Sequence, residues 1–122
     1  MNLSTPGGCA AYSIAAAAYV GMKTPLRFRR LERIELLGLE IPVAESRLSR
    51  LLGLTLLPRE RAGPGLLLPR CRSVHTLGMR FPLDLIFLSE AGGVLELHRG
   101  VPPGRFIRCA AAMAVLELPS PH

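Results

Sequence analysis

The 122 residues are enough for one domain and not two, and a hydrophobic fraction of 49% supplies an adequate but modest core. With no Trp and only 5% aromatic residues, Leu, Ala and Val have to fill that core. A net charge of +6 favours anionic partners, but Lys23 is the only lysine and the arginines are spread from Arg27 to Arg108 without a long run, which argues against a nucleic-acid interface. The three cysteines, Cys9, Cys71 and Cys109, are odd in number, far apart and form no CxxC. Reduced thiols in a cytoplasmic protein are the expectation, with a Cys71–Cys109 bridge as the one alternative.

Residues 1 to 21 carry no charged side chain and include the run Ala15-Ala16-Ala17-Ala18. No Lys or Arg precedes the apolar stretch, so it makes a poor signal peptide. It also falls short of the roughly 20 strongly apolar residues of a transmembrane span. The segment reads as a disordered extension upstream of a natural start at Met22-Lys23, and residues 22 to 122 as the single domain. If residues 1 to 21 did act as a signal, export or membrane association would follow instead.

Pro25 to Leu31 alternates apolar and basic residues, the period of a half-buried strand. Ile34 to Val43 reads as a second strand, with Gly38 as a bulge and Pro42 at an edge or end. Over Glu45 to Leu52 the period changes. Leu48, Leu51 and Leu52 share one helical face, Ser46 caps the start and Gly53 stops the turn. Leu54 to Gly65 is a Pro/Gly-punctuated loop, Leu66 to Leu68 a short buried strand, and Pro69 to Gly78 an irregular polar stretch. Phe81 to Leu88 is the strongest strand, with Phe81, Leu83, Leu85 and Phe87 on one face and Asp84, Ile86 and Leu88 on the other. A turn at Glu90 to Gly93 leads to a partner strand, Val94 to His98. After the stiff turn Val101-Pro102-Pro103-Gly104, Phe106 to Cys109 and Ala114 to Leu118 complete the set. These elements predict an α+β, mainly β fold: a small barrel- or sandwich-like antiparallel or mixed sheet closed by one short helix.

Asp84, the only aspartate, lies in the most apolar segment. A carboxylate there needs hydrogen-bond donors or an arginine. It is either a ligand-binding or acid/base group or, more simply, an acceptor that ties down the backbone of Cys71 to Met79. That stretch holds most of the reactive side chains. One reading is a hydrolase in which His75 activates Cys71 or Ser73 and Asp84 orients the imidazole, without any nucleophile-elbow signature. A second is a soft copper or zinc site from Cys71, His75 and Met79, without CxxC or HxxxH spacing. The plainest makes Cys71 and Met79 core filler and gives His75 a backbone carbonyl. Arg70, Arg72 and Arg80, with Arg99, Arg105 and Arg108, form either an anion-binding face or a solvated surface. No cofactor is implied.

The run GLLLPRCRSVHTLGMRFPLDLIFLSEAGGVLELHRGVPPGR, followed by AVLELP, resembles the prokaryotic family known as domain of unknown function 192, and the upstream AESRLSRLLGL matches another of its stretches. The resemblance covers roughly Leu26 to Pro119. It implies a compact, mainly β fold and no established activity. Distant members replace the His75 region but retain residues equivalent to Pro82, Asp84 and Phe87, which implies an anchoring role for Asp84. Many run on into a Gly-rich ending, so a shorter chain implies a final strand lacking a neighbour. The leading expectation is a non-catalytic binding or accessory domain. It would hold a small polar or anionic ligand, or a partner segment, near Asp84, with Ser73, His75, Thr76, Arg72, Arg80 and Arg105 as further contacts.

Overall fold

Strands buried on both faces organise the molecule. The computed structural model describes residue 22 and residues 24–36, 38–46 and 53–121. Within them β1 (Arg33–Leu36) and β2 (Leu39–Pro42) form a hairpin, and β4 (Ser73–His75) pairs with β7 (Phe106–Arg108). The main sheet has the order β3 (Leu66–Pro69), β8 (Ala114–Pro119), β5 (Leu83–Leu88), β6 (Val94–Val101), with every pair antiparallel. All six residues of β5 and all six of β8 are buried.

Such burial requires apolar side chains on both sides of the pleat, and the alternation supplies two separate cores. Leu66, Leu68, Leu83, Leu85, Phe87 and Val115 face one, closed over by Phe28, Leu54, Val74 and Met79. Leu67, Ile86, Leu88, Leu116 and Leu118 face the other, covered by Leu36, Leu39, Ile41 and Val43 of the β1–β2 hairpin. Each fully buried Leu, Ile or Phe contributes about 1.5–3 kcal/mol from burial. The two apolar sets expected for Phe81 to Leu88 therefore lie where the alternation placed them.

Several expectations are corrected. Pro25 to Leu31 is not a strand. Leu26–Phe28 is a 3-10 turn, closed by Phe28 N–H donating to the Pro25 carbonyl, with Phe28 buried and Leu26 exposed. One buried residue per turn satisfies the sequence as well as alternation does. Ile34 to Val43 is a hairpin and not one strand, because Gly38 at φ +75° reverses the chain. Pro42 is the last residue of β2. The stretch Pro69 to Gly78 contains β4, whose partner β7 lies about thirty residues further on, beyond the reach of a local pattern. No sheet closes into a barrel among the described residues. Their helical content is two 3-10 turns, Leu26–Phe28 and Arg59–Arg61. The predicted helix over Glu45 to Leu52 falls largely on residues 47–52, outside the described set, as do residues 1–21. The last strand, β8, has neighbours on both sides. No described helix is long and apolar enough to cross a membrane.

Gly65, which leads into β3, sits at φ +144° against the neighbouring strand. A Cβ there would lie 2.6 Å from both the Glu117 carbonyl oxygen and Leu118 Cδ2. Backbone cannot retreat from that contact cheaply. Gly65→Ala is therefore expected to lower unfolding stability by about 1–3 kcal/mol, read as a lower urea midpoint with unchanged slope.

Candidate functional site

Asp84 does not reach the Cys71–Met79 stretch. Alternation along β5 turns it to the face shared by Ile86 and Leu88, opposite Leu118 of β8. There its Oδ1 accepts the Gly100 N–H at 2.8 Å. Between Leu83↔Val101 and Leu85↔His98, β6 carries one residue more than β5, and Gly100 takes φ +61°. Asp84 thus satisfies the backbone donor that this bulge pulls out of the ladder. The expectation that it ties down residues 71–79 is corrected.

Thr76 does that work. Its buried hydroxyl donates to the Pro102 carbonyl at 2.8 Å and accepts the Arg105 N–H at 2.8 Å. The Thr76 backbone adds N–H to the Arg105 carbonyl at 2.8 Å, and its own carbonyl accepts from Gly104 and Met79. One threonine therefore locks the Val101–Arg105 turn onto the 76–79 turn. Its one hydroxyl hydrogen is spent on the Pro102 carbonyl, and Thr76 does not line the cavity described below.

Cys71, Ser73, His75 and Met79 do come together. With Gly53–Thr55, Leu68, Val74 and Glu117 they line a cavity of about 50 Å³. The Cys71 thiol donates to the Ser73 carbonyl at 3.0 Å. His75 Nδ1 is buried and has no hydrogen-bond partner among the described residues. The hydrolase reading required Asp84 on that imidazole, but the main sheet stands between them. The three side chains of the metal reading, Cys71, His75 and Met79, all line the cavity, while no group of three His, Cys, Asp or Glu among the described residues is arranged to hold an ion. Cys71 and Cys109 are separate thiols. Arg72, Arg80 and Arg105 are exposed and do not line the cavity.

Sequence reasoning missed Glu117. It lies in β8 between Leu66 of β3 and Leu85 of β5, which places it on the first core's face. The side chain is 4% exposed and lines the cavity. Burial pushes its pKa up to about 8, and no hydrogen bond or charge among the described residues offsets this. The signal was present as an acid at an inward position of AVLELP, but the alternation of β8 could be phased only once its two partner strands were known.

A second polar cluster lies on β6. Glu96 accepts from His98 Nε2 at 2.9 Å, and the His98 ring stands edge-on to Phe87 with centroids 5.7 Å apart. The bond to His98, then one from Cys109, lowers the Glu96 pKa. Desolvation, then the hydrogen bond to Glu96, raises that of Cys109, the direction that disfavours its thiolate.

All the strands and both polar sites fall within residues 31–121, which match the family model of domain of unknown function 192, described as "Uncharacterized ACR". The chain belongs to this family. The domain of unknown function 192 is a family without an established activity. A protein of unknown function from Novosphingobium aromaticivorans is 18% identical, with a TM-score of 0.58 and 85% of each chain covered. A putative transcription regulator from Sinorhizobium meliloti is 23% identical, with a TM-score of 0.55 and coverage of 67% of this chain and 69% of that one. Both likenesses show the fold that this family member adopts. No curated protein matches the chain.

Two outcomes follow from these contacts. Thr76→Val keeps the shape but strands the Arg105 N–H and the Pro102 carbonyl. Both groups lie at exposed residues in part-buried bonds, so the change should cost about 0.5–1.5 kcal/mol per hydrogen bond lost and speed amide exchange at Arg105. Glu117 binds a proton in the folded state up to pH about 8, but in the unfolded state only up to about 4.5. Between those values the folded state holds more protons, so stability should fall as pH rises and level off above pH 8. Denaturant titrations at pH 5, 6.5 and 8 should show this fall in the native chain and a flatter profile in Glu117→Gln.

Proposed function

We propose that the domain binds a small polar ligand in the cavity lined by Glu117, His75, Ser73 and Cys71, and does no chemistry on it. One observation carries the reading: the same small space is lined by a glutamate that is almost fully buried and by a histidine whose Nδ1 is buried without a partner among the described residues. Buried polar groups are nearly always satisfied within the fold, and each one left over costs stability. A buried acid without a counter-charge and an unpaired imidazole nitrogen, on residues that line one cavity, favour completion by an outside group. The cavity is far smaller than a drug-sized pocket, so it selects a ligand, or a ligand head, of a few heavy atoms.

The hydrolase alternative draws on the same side chains. It asks for a carboxylate that orients His75 and a nucleophile free to lose its proton. The carboxyl at the cavity is held protonated, His75 Nδ1 engages no described residue, and the Cys71 thiol points at a backbone carbonyl. Binding needs neither an oriented imidazole nor a free nucleophile. The reduced thiols fit a cytoplasmic setting, and the exposed, scattered arginines leave nucleic acid without a continuous surface.

A fragment screen by amide chemical shift tests the proposal. Binders should move the amides of Thr55, Ser73, His75 and Glu117 together. Ser73→Leu, which fills the cavity while keeping β4 paired, should abolish those shifts. Shifts that gather on β6 or on the arginine surface, or a Ser73→Leu protein that still responds, would reject it.

A further inference from the structure

The cavity has a polar floor and an apolar approach. Leu54, Leu68, Val74 and Met79 form its walls. Just outside, Leu56 and Leu77 are 67% and 61% exposed, large apolar side chains held out in water. They belong to one feature, because Leu56 N–H donates to the Gly78 carbonyl at 2.9 Å. Leu56 adopts a left-handed backbone, φ +65°, a strained state for a residue with a branched side chain. The strain is maintained where the chain turns from the wall of the cavity to its rim.

The floor fixes the sign of the ligand. Resting on the reading of this cavity as a binding site, we infer that it takes a nitrogen cation, an alkylammonium or alkylguanidinium group, with its charged head on Glu117 and its alkyl part on the apolar walls. A carboxyl at least nine-tenths buried, with no donor among the described residues, is completed most strongly by a cationic donor that restores its charge. A neutral donor supplies a hydrogen bond but leaves the acid protonated. An anion could only accept the acid's proton, and would lose even that contact as Glu117 ionises.

The described residues around it do not supply the missing cation. On Glu117's face of the sheet, β3 presents Leu66 and Leu68 and β5 presents Leu83, Leu85 and Phe87, none of them titratable. The β4 side brings His75 and Cys71. Glu96 and His98 stand on the same face two strands away, opposite Phe87 and Leu85, and pair with each other. Arg27 comes near the wall, but its Nη1 donates to the carbonyls of Gly53 and Thr55 at 3.2 and 2.8 Å. The overall charge of +6 repels cations at long range, yet such fields are screened beyond about 8 Å in physiological salt. Contact with a desolvated carboxyl therefore decides.

Binding on these terms moves a proton. The Glu117 O–H bond breaks, the proton goes to the buffer, and the ligand keeps its own. Affinity should then rise about tenfold per pH unit below the Glu117 pKa of about 8 and level off above it.

Calorimetry on the full chain reads this directly. The probes are n-butylammonium, a lysine blocked at both ends, n-butanol and butyrate, at pH 6, 7 and 8 in two buffers of different ionisation enthalpy. The expected result is saturable binding of a cation, close to one proton released per cation at pH 6, and at least roughly tenfold weaker binding of n-butanol. Glu117→Gln should bind the cation at least roughly tenfold more weakly and release no proton. Binding of n-butylammonium alone marks a free amine as the ligand, and binding of the blocked lysine as well marks a basic side chain; either supports the inference. Carbon-13 titration of Glu117 in the native chain guards against a variant that fails to fold. Its pKa should lie well above 4.5 without ligand and drop when n-butylammonium is added. Binding of n-butanol or butyrate while both cations stay silent overturns the cation and leaves the binding site standing. Silence from all four probes overturns both. A Glu117 that already titrates below pH 5 in the ligand-free chain has a counter-charge within the protein, and the inference falls.

Discussion

A strand with neighbours on both edges and side chains buried on both faces has nowhere to hide a charge, and β8 is such a strand. It pairs with β3 and β5 and separates the two apolar cores. Its alternation gives Leu116 and Leu118 to one core and Val115 to the other, and the next inward position in the sequence is a glutamate. The polypeptide cannot turn this residue outward without moving both leucines out of their core, because a shift of one residue flips every side chain. Glu117 is thus held inside by the burial of its neighbours. Its unusual protonation and the cavity above it follow from that packing.

The remaining polar groups of the domain repair its backbone. Asp84 accepts the N–H displaced by the bulge at Gly100, and Thr76 binds the Val101–Arg105 turn from both sides. These two residues act at opposite ends of the same excursion of chain, where β6 runs out and β7 begins. The turn they fix sets the position of β7, and β7 is the partner of β4. The ladder of β4 and β7 in turn holds Ser73 and His75 at the cavity. The site is therefore positioned in part through backbone hydrogen bonds some thirty residues away.

What could be read from the chain alone follows the range of the interactions involved. Phe81 to Leu88 was legible in location and in the partition of its side chains, because alternation is written within one strand. The hairpin turn at Glu90 to Gly93 was equally local, closed by Ser89 with Gly92 and Gly93. β4 was not legible, since Val74 is its one fully buried residue and its partner is remote. Pro25 to Leu31 shows the opposite failure, a strand-like alternation in a segment that folds as a 3-10 turn and buries only Phe28 fully after its initial proline. At the site, the gathering of Cys71, Ser73, His75 and Met79 was visible as a cluster in sequence. The acid that meets them was sought in Asp84, because an aspartate in the oiliest strand looks the more anomalous of the two.

The contrast between those two acids carries the functional argument further than either alone. Asp84 and Glu117 occupy adjacent central strands of one sheet, both buried, on opposite faces. Asp84 has a backbone donor at 2.8 Å, and the deviation of the chain that supplies this donor is itself built around it. Such an acid is explained by the fold, and its removal would be felt as lost stability. Glu117 is almost fully buried with no compensating group among the described residues, and the cavity it lines is also lined by His75, whose Nδ1 is buried and unpartnered. Stability gives no reason to keep an uncompensated acid where a leucine would pack at lower cost. On the proposed reading, a cost that the fold does not need, borne at a position lining a cavity, marks Glu117 as the binding carboxyl and Asp84 as the structural one.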